Sequence, residues 1–152
     1  MSLQIYWFEF HKANGVEDIL ALQRVSIKGL EKIASDDESP ELSGEVLNTI
    51  LGVLRADYEI EFPKLPRRLE IPLLKFWKKG CDTVQGGPEA EIMALQLAGI
   101  TDIAAFTQKY LDYTQSGEGL EETQAVVTET LNWLRDRLEG LHPGKFGMLG
   151  IA

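Results

Sequence analysis

Apolar positions along this chain recur mostly every three or four residues, with two short stretches that alternate instead. Gln4 to Phe10 alternates, and its aromatic and β-branched content predicts a strand with Tyr6, Phe8 and Phe10 on one face and Ile5 and Trp7 on the other. Asn14 and Glu17 have capping-box spacing and predict a helix whose inward stripe is Val16, Ile19, Leu20, Ile27, Leu30 and Ala34. Asp36-Asp37-Glu38 reads as a solvated turn. Ser39-Pro40 then offers a cap and a first-turn proline. Leu47, Ile50, Leu51 and Leu54 carry the resulting helix to about Arg55. Tyr58, Ile60 and Phe62 alternate with Glu59 and Glu61, the mark of a half-exposed strand.

Pro63 and Pro66 close that stretch, and Pro72 and Gly80 bracket a short helix with Leu73, Phe76 and Trp77 inward. After Gly86-Gly87, Pro88, Glu89 and Glu91 mark the start of a helix ending near Gly99. Thr101 is the expected cap of the next, which carries Ile103, Phe106, Tyr110 and Tyr113 and stops by Ser116-Gly117. The last helix has the strongest pattern: Leu120, Val127, Leu131, Leu134, Leu138 and Leu141 keep a four-three spacing broken only at Gln124. Gly140 and Pro143 mark its end.

The predicted fold is mainly α: one domain over residues 1–152, a compact bundle of five or six helices with a minor strand element at 4–10 and 57–62. The rival architecture is α+β, with the two strands paired in a small sheet. Trp7, Trp77 and Trp133 are expected to be largely buried. With 152 residues, 44% of them hydrophobic, the chain has enough apolar surface for a core without disulfides or a structural metal.

Charge changes the picture next. Twenty-four acids against fifteen bases give a net charge of −9, which opposes nucleic acid and anionic membranes. One cysteine, Cys81, excludes an internal disulfide and any site needing two thiolates. It fits a reducing compartment. The first residues lack a basic region and a small-residue cleavage site, so the expected setting is cytoplasmic.

Common catalytic patterns fail one by one. Glu139 and His142 have the Glu-x-x-His spacing of bundle di-iron sites, yet Gly140 and Pro143 place His142 past the helix, and Phe8 stands where His11 would need its glutamate. Gly144-Lys145 lacks the Ser/Thr and the first glycine of a phosphate loop. Cys81 follows Lys78, Lys79 and Gly80 at a helix end, where the dipole opposes a thiolate. Glu118, Glu121 and Glu122 are close together, and Glu122, Glu129 and Asp136 form a heptad-spaced line, but on the side of the helix opposite its leucines. No metal and no cofactor is expected.

Two features remain. From Lys64 to Lys79 there are six bases against Glu70 alone, while Gly80 to Trp133 holds nine acids against Lys109 alone. Prolines stiffen the basic stretch and keep Arg67 and Arg68 out of a helix, where their planar forks suit carboxylate or phosphate. Lys75 and Lys79 share a face of the helix that follows. Arg67, Arg68, Lys75 and Lys79 are therefore the candidate contacts to an anion or acidic partner. The second feature is the apolar tail, with Phe146, Met148, Leu149 and Ile151, which needs cover from its own domain or from another chain. The function expected is a non-catalytic acidic interaction or regulatory domain, with a protein partner or homo-oligomer. The alternative is an enzyme or binding protein for an anionic small molecule, divalent-metal dependent, in which carboxylates such as Glu121 or Glu122 act as ligands or bases.

Overall fold

A computed structural model describes residues 5–12, 30–36, 43–62, 82–85, 88–141 and 145–151. In chain order these form β1 (Ile5–Lys12), β2 (Leu30–Asp36), α1 (Gly44–Tyr58), β3 (Asp82–Gln85), α2 (Pro88–Ala98), α3 (Ile103–Thr114), α4 (Leu120–Glu139) and β4 (Lys145–Ile151). The described part is mainly helical, with four helices. The helix expected between Pro72 and Gly80, with Trp77, lies outside the described residues.

The strands make one antiparallel sheet in the order β2-β1-β4-β3. Its centre joins distant parts of the chain: β1 and β4 pair without a break from Ile5 opposite Ile151 to His11 opposite Lys145. Alternation along β1 turns Ile5 and Trp7 to the face shared by Leu149 and Ile151. Ile5, Trp7 and Leu149 are buried there in one core with the helices. Trp7 meets Trp133 of α4 edge-on, ring centres 6.3 Å apart and planes at 81°. Gly147 sits beneath that contact. A Cβ at Gly147 would lie 2.5 Å from Trp7 Cζ2 and 3.1 Å from Leu141 Cδ1, so a side chain has no room.

α4 is the helical centre, packing against α2, α3 and α1. Thr123, Val127, Thr130, Leu131, Leu134 and Leu138 are its buried stripe. Thr130 fits because its hydroxyl donates to the Val126 carbonyl at 2.8 Å, as buried Thr107 does to Ile103 at 2.7 Å. α3 docks on α1 through Phe106 and Tyr58, centroids 5.3 Å apart, with Lys109 Nζ 4.5 Å from the centre of the Tyr58 ring. Tyr113 lies over Gly52 of α1, where a Cβ would fall 2.7 Å from the tyrosine oxygen.

Four expectations need correction. Leu30 to Ala34, assigned by their spacing to the end of a helix, and Asp36, assigned to a turn, lie in β2, because β1 offers a row of backbone groups that a strand satisfies. Residues 14–29 of that expected helix lie outside the described ones. Residues 57–62 form no strand: α1 runs on to Tyr58, and Glu59 turns left-handed (φ 56°) so that the Ile60 N–H donates to the Leu54 carbonyl. Ile60 and Phe62 are buried and Glu59 and Glu61 exposed, so the alternation reflects a segment laid on the core with no partner strand among the described residues. The cap of α1 is Ser43, whose oxygen accepts from the Val46 N–H at 3.4 Å. The Ser39-Pro40 start lies outside the described residues. The cap of α3 is Asp102, one residue after Thr101, with Oδ1 accepting from Ala105 N–H at 3.0 Å.

Of the tail's apolar side chains, Leu149 is buried and Ile151 half-buried against the chain's own core. β4 lies between β1 and β3. Trp133 is half-buried, less than expected.

Candidate functional site

Arg67, Arg68, Lys75 and Lys79 all lie outside the described residues, as do Cys81 and His142. The other sequence candidates are placed. Glu118, Glu121, Glu122, Glu129 and Asp136 are all exposed on or beside α4, away from its buried stripe. Among the described residues no three His, Cys, Asp or Glu side chains gather in a way that would hold a metal ion. The carboxylates therefore act as a field, and the chemistry they offer is attraction of cations along a surface.

A shallow, open depression of about 520 Å³ lies where α3 turns into α4. Gln108, Leu111, Asp112, Gln115, Glu118 and Leu120 line it. Asp112 accepts a hydrogen bond from Gln108 Nε2 at 3.0 Å. The turn is tight because Gln115 is left-handed (φ 54°), so that its N–H donates to the Asp112 carbonyl and the Ser116 N–H donates to the Leu111 carbonyl. Tyr110 packs behind this turn. Burial pushes its phenol above the usual range, and the Glu118 carboxylate pushes the same way.

The more telling surface is on α2, a helix the sequence marks only by its caps. Ala90, Met93, Ala94 and Leu97 are buried, at the i, i+3, i+4, i+7 spacing of a packed face. They pack toward α4, the helix that α2 contacts most. At 100° per residue, the crest opposite that face is occupied by Ile92 and Leu95. These two are 57% and 65% exposed. Glu91 flanks the crest on one side and Glu89 on the other, both exposed. No base lies in the last turn of α2. The helix is thus apolar on two opposite sides, and among the described residues only one of them is covered.

A signal for this was present in the sequence. PEAEIMALQLA holds six apolar residues between Ala90 and Leu97, more than one stripe of a three-turn helix takes. Read for its caps alone, the helix gives up that surplus unnoticed.

At the bend after Ala98, α3 leaves α2 at 98°. Among the described residues no single helix is long and apolar enough to cross a membrane. Set against known proteins, the chain matches no protein family, no curated protein and no solved structure.

Proposed function

We propose that this chain is a non-catalytic protein-interaction or regulatory domain, and that α2 is a docking surface. One observation supports this above the rest: Ile92 and Leu95 stand together on the crest of a helix whose opposite face is already packed. Single exposed leucines are ordinary. Two on one crest, a turn apart, are a surface that gains about 1.5–3 kcal/mol for each side chain fully covered. The reading keeps a cytoplasmic setting, supported by the lone cysteine.

A photo-crosslinking residue in place of Leu95, with the chain expressed in its native cells, tests the reading. A discrete crosslinked protein at position 95, missing when the same group replaces Asp57 of α1, is the expected result. No product at either position overturns it. The alternative of an anionic small molecule predicts a thermal shift in a screen of nucleotides, metabolites and divalent metals, about 2.7 kcal/mol at one hundred times Kd.

The basic stretch supports a second contact, from Arg67, Arg68, Lys75 and Lys79 to an acidic partner or anion. Replacing Arg67 and Arg68 by Ala is expected to weaken that binding and flatten its salt dependence while leaving the melting curve unchanged. A marked loss of stability would show that the pair holds the fold instead.

A further inference from the structure

We infer that the crest of α2 receives a basic amphipathic helix from a partner protein. This rests on α2 being a docking face, and adds what docks there. Charge argues the sign. Glu89 and Glu91 flank Ile92 and Leu95, and between Gly80 and Trp133 nine acids face a lone base. That base, Lys109, is occupied over the Tyr58 ring on the α1 side of α3. Lysines beside the partner's apolar stripe would meet both glutamates at once. A nucleic acid, an anionic membrane or an acidic chain would meet them as like charge.

Shape argues for a helix. The receiving surface is a convex helix about 16 Å long, with apolar side chains at i and i+3, and such a ridge seats in the groove of another helix. A second copy of this chain fits poorly. Each copy brings the same two glutamates and a net charge of −9, and two side chains per copy fall far short of the roughly 800 Å² per partner of a stable pair. A slim partner helix, held by a few anchors and steered by charge, matches what the crest offers.

The test uses the full chain and two labelled 18-residue probe helices with the same leucine face, one flanked by lysines and the other by glutamates. Fluorescence anisotropy reads their affinities. The lysine probe is expected to bind at least tenfold tighter than the glutamate probe, and to lose about tenfold with Ile92→Ser/Leu95→Ser. Glu89→Gln/Glu91→Gln is expected to cost about fivefold. Asp57→Asn/Glu61→Gln, the same change of charge at the exit of α1, is expected to stay within twofold. Amide shifts in the unmodified chain, largest from Ile92 to Leu95 on titration, give a readout that does not depend on any variant folding.

Equal losses in all the acid variants would mean general attraction to an acidic chain and overturn the proposal. Glutamate-probe binding as tight as lysine-probe binding, and lost with Ile92→Ser/Leu95→Ser, would keep the docking face and overturn the basic partner. No binding of either probe, with no shifts on α2, would overturn both. Self-association abolished by Ile92→Ser/Leu95→Ser would assign the face to a second copy instead.

Discussion

α2 and α4 pack against each other, yet they treat solvent in opposite ways. α4 buries Val127, Leu131, Leu134 and Leu138 and turns Glu122, Glu129 and Asp136 outward, and its exposed large apolar side chains, Leu120 at its start and Val126, do not share a face. α2 buries Ala90, Met93, Ala94 and Leu97 and still turns Ile92 and Leu95 outward. A helix like α4 is explained once its own fold is known. For a helix like α2, packing among the described residues explains Ala90, Met93, Ala94 and Leu97 and leaves Ile92 and Leu95 without a role in the fold.

The sharpest way to break this comparison is to truncate a leucine on each helix. Leu134→Ala removes a fully buried side chain from α4 and is expected to cost about 2–5 kcal/mol in urea denaturation. Leu95→Ala on α2 is expected to stay within about 0.5 kcal/mol, as surface changes do. A large loss at Leu95 would mean that the crest is part of the core.

A smaller effect tests how firmly α4 holds the sheet. Gly147→Ala places a methyl group against Trp7 and Leu141, and is expected to destabilise by about 1–3 kcal/mol while altering the near-ultraviolet dichroism of the tryptophans. An unchanged spectrum and midpoint would show that β4 is not seated as described.

The smallest effect concerns Tyr110. Burial, and after it Glu118, holds its phenol above the ordinary value of about 10. The unfolded chain therefore releases this proton first as pH rises, and the folded state loses stability from about pH 10 upward until the folded phenol also ionises. Tyr110→Phe is expected to flatten that decline in denaturation curves taken on either side of about pH 10. Equal slopes for the two proteins would place the phenol in water.

What the sequence made legible follows from how local each signal is. α4 was readable because four-three spacing over twenty residues admits a helix and little else. Its neighbour's boundary slipped by one residue because Thr101 and Asp102 are both good caps, and only the carboxylate reaches the Ala105 N–H. β2 was not legible: Leu30, Ile33 and Ala34 suit helical spacing, and what makes them a strand is the edge of β1, far away in sequence. The alternation at 57–62 was read correctly as in-and-out burial and wrongly as a strand, since a strand also needs a partner. Of the candidate surfaces, the basic stretch was legible from composition alone, while the crest of α2 required knowing which face α4 had already taken.

The placement of β4 between β1 and β3 has a consequence for the order in which the molecule is made. A ribosome that has released Ile5 must add about 146 more residues before Ile151 can lie opposite it. At about 5–20 residues per second that interval is roughly seven to thirty seconds. Once Leu30–Asp36 has followed, β1 has β2 on one side and an unsatisfied row of amides and carbonyls on the other. Such a row is what foreign strands add to. Trp7 likewise has no Leu149 beside it until synthesis has nearly reached the end of β4. Until β4 is made, the strand that joins β1 to β3 is missing, and translation speed sets how long that edge stays open.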